Sequence, residues 1–264
     1  MFKELFNSLN NYEKEFIYNA LEIENISNKS QSPFRFWFKD LRDNHSKRIG
    51  DIYEFGVYRG SSLLAIALLA KKIKSNKHFW GFDTFSGFPN LSKKDKLINF
   101  NKKNGFEDEH IKDAKILAKI KMTNKEINKE NLNLSLSKLG KSGLFRNTSY
   151  DLLLEKIENL GLKNITLVKG DFKNTVYEHF ENKSRKIFSA NLDCDLYEGY
   201  KLCLPIIFKN LEKGGFLNLD EYYSLKYPGA KIATDEFLKN NKKALLRKNK
   251  TREGEFERYF ITKE

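Results

Sequence analysis

Cysteine is scarce: among 264 residues only Cys194 and Cys203 occur, nine positions apart and not in a CxxC pair. That excludes a disulfide framework and a cysteine zinc site, and leaves free thiols packed inside as the expectation. No apolar run approaches the roughly 18 residues that a membrane-spanning helix needs. The longest candidate, Leu63–Ala70, is followed by lysines and predicts a buried helix. The start, Met1-Phe2-Lys3-Glu4, lacks the basic-then-apolar layout of a signal peptide, so a cytoplasmic location is expected. Histidine is also rare, at four residues, and none falls on a motif position. His78 opens a predicted strand and is assigned a structural role. His179 is assigned to a short, solvated, charged helix, and His110 is the one that could reach a site as an accessory acid or base.

Charge is plentiful, with a formal net of +13, yet the arginine-rich tracts and RNP-like aromatic motifs of nucleic-acid binders are missing. Lysine dominates and is scattered singly or in pairs, so no nucleic-acid partner is expected. An acidic or phosphorylated small substrate suits the charge better. Hydrophobic residues at 40% suffice for a sizeable core.

Residues 1–45 have amphipathic helical spacing, with Phe2, Leu5, Phe6 and Leu9 on one face. Tyr12, Tyr18, Phe34, Phe36, Trp37 and Phe38 are assigned mainly to packing, with some available for an acceptor pocket or a dimer face. From residue 46 to 264 strands alternate with helices. Strands are predicted at 51–55, 78–83, 164–170, 187–193 and 215–220, with helices at 61–74, 149–160, after the fourth strand through Leu211, and at 230–238. Such alternation implies right-handed crossovers and a parallel sheet. Two final strands, 244–247 and 256–262, flank a polar turn with Gly254 and predict an antiparallel hairpin. The fold class expected is therefore α/β, a Rossmann-like sheet of seven mostly parallel strands. The Lys- and Asn-rich stretch of about 90–147 interrupts the alternation, is weakly helical over 111–121, and is expected to be a lid insertion.

Chemistry-bearing residues gather at strand ends. The first strand runs into Glu54-Phe-Gly56-Val-Tyr58-Arg-Gly60-Ser61-Ser62, a turn whose glycines let backbone N–H groups approach a ligand at a helix N-terminus. Its spacing departs from the G-x-G-x-x-G of dinucleotide folds. The second strand ends at Asp83-Thr84, where a carboxylate can accept hydrogen bonds from two ribose hydroxyls. The third ends at Gly170-Asp171-Phe172. The fourth and fifth end in Asp193-Cys194-Asp195 and Asp220-Glu221, and the 27-residue spacing of Asp193 and Asp220 is one strand–helix–strand unit. Clustered carboxylates repel unless a proton or cation intervenes, and hard oxygen donors suit Mg²⁺. No Lys or Arg within either motif offers compensation; Asp195 is assigned to orienting the loop or capping the following helix.

Six segments occur in order: Glu-Phe-Gly-Val-Tyr-Arg-Gly, Phe-Asp-Thr-Phe-Ser-Gly-Phe-Pro, Lys-Gly-Asp-Phe-Lys-Asn-Thr, Asp-Cys-Asp-Leu-Tyr-Glu, Lys-Gly-Gly-Phe and Ala-Thr-Asp-Glu-Phe. Over about residues 50–240 the chain resembles the macrocin O-methyltransferase family, which methylates sugar hydroxyls on macrolides and related natural products. The resemblance implies a class I methyltransferase fold and S-adenosylmethionine as cofactor. It implies that the segment Glu54–Gly60 grips the methionine part, that Asp83 binds ribose, and that Gly170-Asp171 lies near adenine. Gly56, Tyr58, Gly60, Ser61, Ser62, Thr84 and Phe172 complete the expected cofactor set. It implies Mg²⁺ held by Asp193, Asp220 and Glu221, with Asp193 as the base. At the last ligand the family usually has aspartate where Glu221 stands, and Tyr58 replaces its usual tryptophan.

The expected reaction is Mg²⁺-assisted methyl transfer to a hydroxyl of a small, sugar-containing acceptor. Alternatives are the same fold acting on a phosphate, phosphoramidate, catechol or amine, or an RNA methyltransferase. No membrane partner is expected, and a homo-oligomer is an open possibility.

Overall fold

The computed structural model describes residues 4, 7–24, 32–123, 145–181, 183–251 and 255–264. Most of the stripe Phe2, Leu5 and Phe6, the second half of the predicted insertion (124–144) and the Gly254 turn lie outside the described residues.

Five parallel strands form first: β1 (Asp51–Phe55), β2 (Phe79–Asp83), β3 (Ile165–Lys169), β4 (Ile187–Leu192) and β5 (Leu211–Leu219). With β6 (Ala244–Lys248) and β7 (Tyr259–Lys263) they make a seven-stranded sheet ordered β3-β2-β1-β4-β5-β7-β6. β7 inserts antiparallel between β5 and β6. The predicted elements agree within a few residues. The exception is β5, which already begins at Leu211 and meets β4 through a register shift before the regular pairing at Phe216.

Helices cover both faces. On one lie α1 (Asn11–Ala20), α2 (Arg35–Asn44), α3 (Ser61–Lys72) and α5 (Tyr150–Asn159); on the other lie α6 (Phe172–Phe180), α7 (Tyr197–Asn210) and α8 (Pro228–Asn240). The period-2 alternation of β1 divides the core: Ile52 packs with Trp37, Leu64 and Phe188, whereas Tyr53 and Phe55 pack with Tyr200 and Leu204. Trp37 is wholly buried and donates from Nε1 to Ser189 Oγ at 3.0 Å, so the N-terminal helices are tied to the sheet. Tyr12 and Phe16, by contrast, stay exposed. Among the described residues, no helix is long and apolar enough to cross a membrane.

His179 corrects the sequence expectation. It is buried on α6, 3.2 Å from the Tyr53 hydroxyl and ringed by Trp80, Phe82 and Phe180. Burial in this aromatic cage pushes its pKa down to about 3, so the ring is neutral. Charged neighbours in sequence concealed an inward-facing position. His78 sits as expected in a structural role, 2.8 Å from Thr166 Oγ1.

The first part of the insertion is anchored in the core. Three short 3-10 turns within 93–104 lead into α4 (Asp108–Thr123), and Phe100, Phe106 and Ala114 join the same cluster as Tyr200. Asp95, only 2% exposed, accepts hydrogen bonds from the backbone N–H groups of Ser92 (2.9 Å) and Tyr197 (2.8 Å). It thereby caps α7 from 102 residues away, one of the two tasks the sequence offered for Asp195. Asp95→Ala is expected to destabilise the protein by about 1–3 kcal/mol, with Asp95→Asn costing less, as read by urea denaturation.

Candidate active site

The carboxyl ends of β1, β2, β4 and β5 open on one cavity of about 550 Å³. Gly56, Tyr58, Ser61, Ser62, Asp83, Thr84, Asp171 and Phe172 line it, as do Asp193, Asp195, Asp220 and Glu221. Of the cofactor residues the sequence singled out, Glu54, Gly60 and Gly170 do not.

Gly56 sits at φ +95°, and a Cβ there would fall 1.7 Å from the Asp193 carbonyl oxygen. Only glycine lets the β1–α3 turn pass this close to the end of β4. Gly60 forms the left-handed cap from which α3 starts. Asp83 binds the turn from the β2 side. Its Oδ2 accepts from the N–H groups of Val57 and Tyr58, both at 2.8 Å, and its Oδ1 accepts from Phe85 at 2.7 Å. Thr84 Oγ1 donates to Gly87 O at 2.8 Å, and Asp171 caps α6 through Lys173 N–H. Phe172 sets its ring edge-on to Phe55.

Glu54 lies beneath the turn and is fully buried. Its Oε1 accepts from Ser62 Oγ (2.5 Å) and Asn191 Nδ2 (2.8 Å), and Asn191 Oδ1 accepts in turn from Asn218 Nδ2. These three side chains form a row across β1, β4 and β5, matching their register. Glu54 Oε2 has no hydrogen-bond partner. Burial pushes its pKa up to about 8.

The acids at the ends of β4 and β5 form the other wall. One carboxylate oxygen from each of Asp193, Asp195 and Glu221 lies within 4.8 Å of the others. Asp195 takes a left-handed φ of +60° and donates its N–H to Glu221 Oε2 at 3.2 Å. The Tyr200 hydroxyl sits 2.8 Å from the same oxygen. Burial, and then the neighbouring carboxylates, raise the pKa of Asp193 and Glu221 well above the ordinary range. Asp195 is pushed up to about 7, again first by burial. A proton or a cation relieves this crowding.

Asp220, which the sequence placed in the metal set, adjoins the trio with its Oδ1 3.3 Å from Arg258 Nη1. The counter-charge that the two motifs lack arrives from just before β7, 38 residues beyond Asp220. Nothing in the local pattern marks Arg258; only the strand order brings it there. His110 stays outside this cavity: its Nε2 lies 2.7 Å from Ser224 O, its ring stacks on Tyr223 at 4.0 Å, and it is 3% exposed. The accessory acid–base role suggested for it is corrected to packing.

Residues 145–247, less than half the chain, match the family model of macrocin-O-methyltransferase (TylF). A search among curated proteins finds no significant match. Among solved structures, the chain resembles the calicheamicin methyltransferase CalS11 at 22% identity and TM-score 0.55, covering 98% of this chain and 84% of that one. It resembles the O-methyltransferase NovP at 17% identity and TM-score 0.57, covering 86% and 76%. An O-methyltransferase from Bacillus cereus, solved with SAH, aligns at 12% identity and TM-score 0.50, covering 96% and 90%. The resemblance read from the motifs is thus met by the family match, and the fold is that of class I methyltransferases. Together they support a methyltransferase that uses S-adenosylmethionine.

Glu54 carries a pH signature. The folded chain keeps the Glu54 proton where the unfolded chain, with a value near 4.5, has lost it. Stability from this group is complete below pH 4.5 and falls away until the pH passes about 8. Glu54→Gln is expected to remove this slope, about 1.4 kcal/mol per pH unit at its steepest. Urea denaturation of both proteins at pH 5.5, 6.5 and 7.5 measures it.

Proposed function

We propose that the protein transfers the methyl group of S-adenosylmethionine to a hydroxyl of a small, sugar-containing acceptor, with a divalent cation at the acid cluster. The carrying observation is one cavity with a glycine-bearing turn and Asp83 on one wall and an acid trio on the other. The sugar class of acceptor is drawn from the macrocin-O-methyltransferase match and the likeness to CalS11 and NovP.

In this reading Gly56, Tyr58, Ser61 and Ser62 face the methionyl part with open backbone at the start of α3. Glu54 supports them from below through Ser62, and Gly60 through the cap. Asp83 and Thr84 meet the ribose, and Asp171 and Phe172 the adenine. Asp193, half-buried at the β4 end, takes the acceptor proton as methyl transfer proceeds. Transfer from sulfonium to oxygen requires the hydroxyl about 3 Å from the methyl carbon, so the two walls have to hold both partners at once.

Mg²⁺ fits the donor set: three carboxylates with converging oxygens, two of them half-buried and facing the cavity. When bound, the cation would lower the hydroxyl pKa and fix its direction. Asp193, Asp195 and Glu221 would hold it. Asp220, drawn towards Arg258, would act from the next position outward.

S-adenosylhomocysteine at 100 times its dissociation constant should stabilise the fold by about 2.7 kcal/mol; no thermal shift would overturn the cofactor assignment. Calorimetric titration with Mg²⁺ should show binding that Asp193→Asn and Asp195→Asn weaken more than Asp220→Asn does. Full turnover in excess EDTA would refute the metal role and leave methyl transfer standing.

A further inference from the structure

The cavity has a third wall, built of rings. Tyr58 on the turn meets Phe145 edge-on at 5.1 Å, Phe145 meets Phe88 at 4.7 Å, and Phe88 meets Tyr227 at 5.7 Å. Tyr58, Phe88 and Phe145 all line the cavity. Tyr227 packs with Leu196, next to Asp195, so the row runs from the turn to the acid end. An acceptor whose hydroxyl reaches Asp193 therefore lies alongside Phe88 and Phe145.

The segment carrying Phe145 is stitched to the turn. Tyr58 donates its hydroxyl to Asn147 Oδ1 at 2.6 Å, Arg59 Nε donates to Asn147 O at 2.9 Å, and Thr148 Oγ1 donates to Tyr58 O at 2.5 Å. Phe145 is held at φ +56°, a backbone region that a bulky residue seldom adopts without external constraint. The same Tyr58 that donates to Asn147 and accepts from Thr148 donates its N–H to Asp83.

Asp83 makes that link responsive. A carboxylate has about four acceptor positions, and three are taken by the N–H groups of Val57, Tyr58 and Phe85. A ligand diol brings two donors to the one position left. A diol there competes with these bonds, two of which, from Val57 and Tyr58, hold the turn, and an adjustment at Tyr58 passes through Asn147 and Thr148 to Phe145.

We infer that Phe145 is a positioning residue for the acceptor, and that residues 145–148 set its ring according to whether the cofactor site is filled. This rests on the cofactor reading above, in which Asp83 meets the ribose. It ties the shape of the acceptor wall to cofactor occupancy, so that the acceptor is best accommodated after the cofactor.

The test uses the full chain and S-adenosylhomocysteine as probe. In the wild type, amide exchange over residues 146–149 should slow or quicken at least about tenfold on saturation. In Phe145→Trp the emission of the new indole should change with a midpoint equal to the calorimetric dissociation constant. The same titration of the wild type, which has only Trp37 and Trp80, supplies the background. Adding Asn147→Ala and Thr148→Val should abolish that emission change while calorimetry still reports binding. Calorimetric binding with unchanged wild-type exchange across 146–149 overturns this inference alone. Absence of any binding to the wild type overturns the cofactor reading and this inference with it.

Discussion

The ends of β1 and β4 meet with nothing between them but backbone. Position 56 leaves no space for a side chain beside the Asp193 carbonyl, and Asp193 donates its N–H to Phe55 O at 2.9 Å. This contact fixes the separation between the turn that opens α3 and the acids that close β4. If the turn receives a cofactor, the first acid stands at a set distance from it whatever the loops do. Asp83 repeats the device on the other flank, binding the turn to the tip of β2 through the N–H groups of Val57 and Tyr58. The cavity is thus framed by main chain, and side chains only furnish it.

Acids that look alike in sequence are treated very differently along this edge. Glu54 is walled in with one oxygen unsatisfied; Asp83 accepts from three backbone donors; Asp220 has a guanidinium partner. Asp193, Asp195 and Glu221 are the group left facing one another. Buried carboxylates crowded together raise one another's proton affinity, even though Glu221 accepts from the Asp195 N–H and the Tyr200 hydroxyl. The chemistry that the edge can perform follows from which acids crowd together rather than from their number.

Much of this was legible in the chain. The alternation of apolar runs with amphipathic helices yielded all seven strands, the parallel sense of the first five and the antiparallel final pair, because each strand and helix obeys a local period. Gly56, Asp83, Asp193 and Asp220 were legible for a related reason: strand ends in a parallel sheet share one edge, so an acid ending a strand has a predictable place. What escaped were partnerships across long sequence distances. Asp95 capping α7, Arg258 meeting Asp220 and His179 entering an aromatic cage each depend on how elements pack, which no local pattern records. The approach of Asp195 to Glu221, at a left-handed φ, is likewise a detail that motif reading does not record.

The sheet order bears on how the molecule comes into being during synthesis. β7 follows β6 in the chain yet lies between β5 and β6. Until it emerges, β6 has no hydrogen-bonded neighbour, and β5 presents a bare edge of Phe216, Leu217 and Leu219. Arg258, just ahead of β7, arrives at the same moment, so Asp220 lacks its counter-charge for nearly as long. A nascent chain on the ribosome therefore holds most of its helices and five parallel strands while its edge is still adhesive and its acids still uncompensated. Strand β7, with Arg258 just ahead of it, supplies the missing pairing and the counter-charge to Asp220 together.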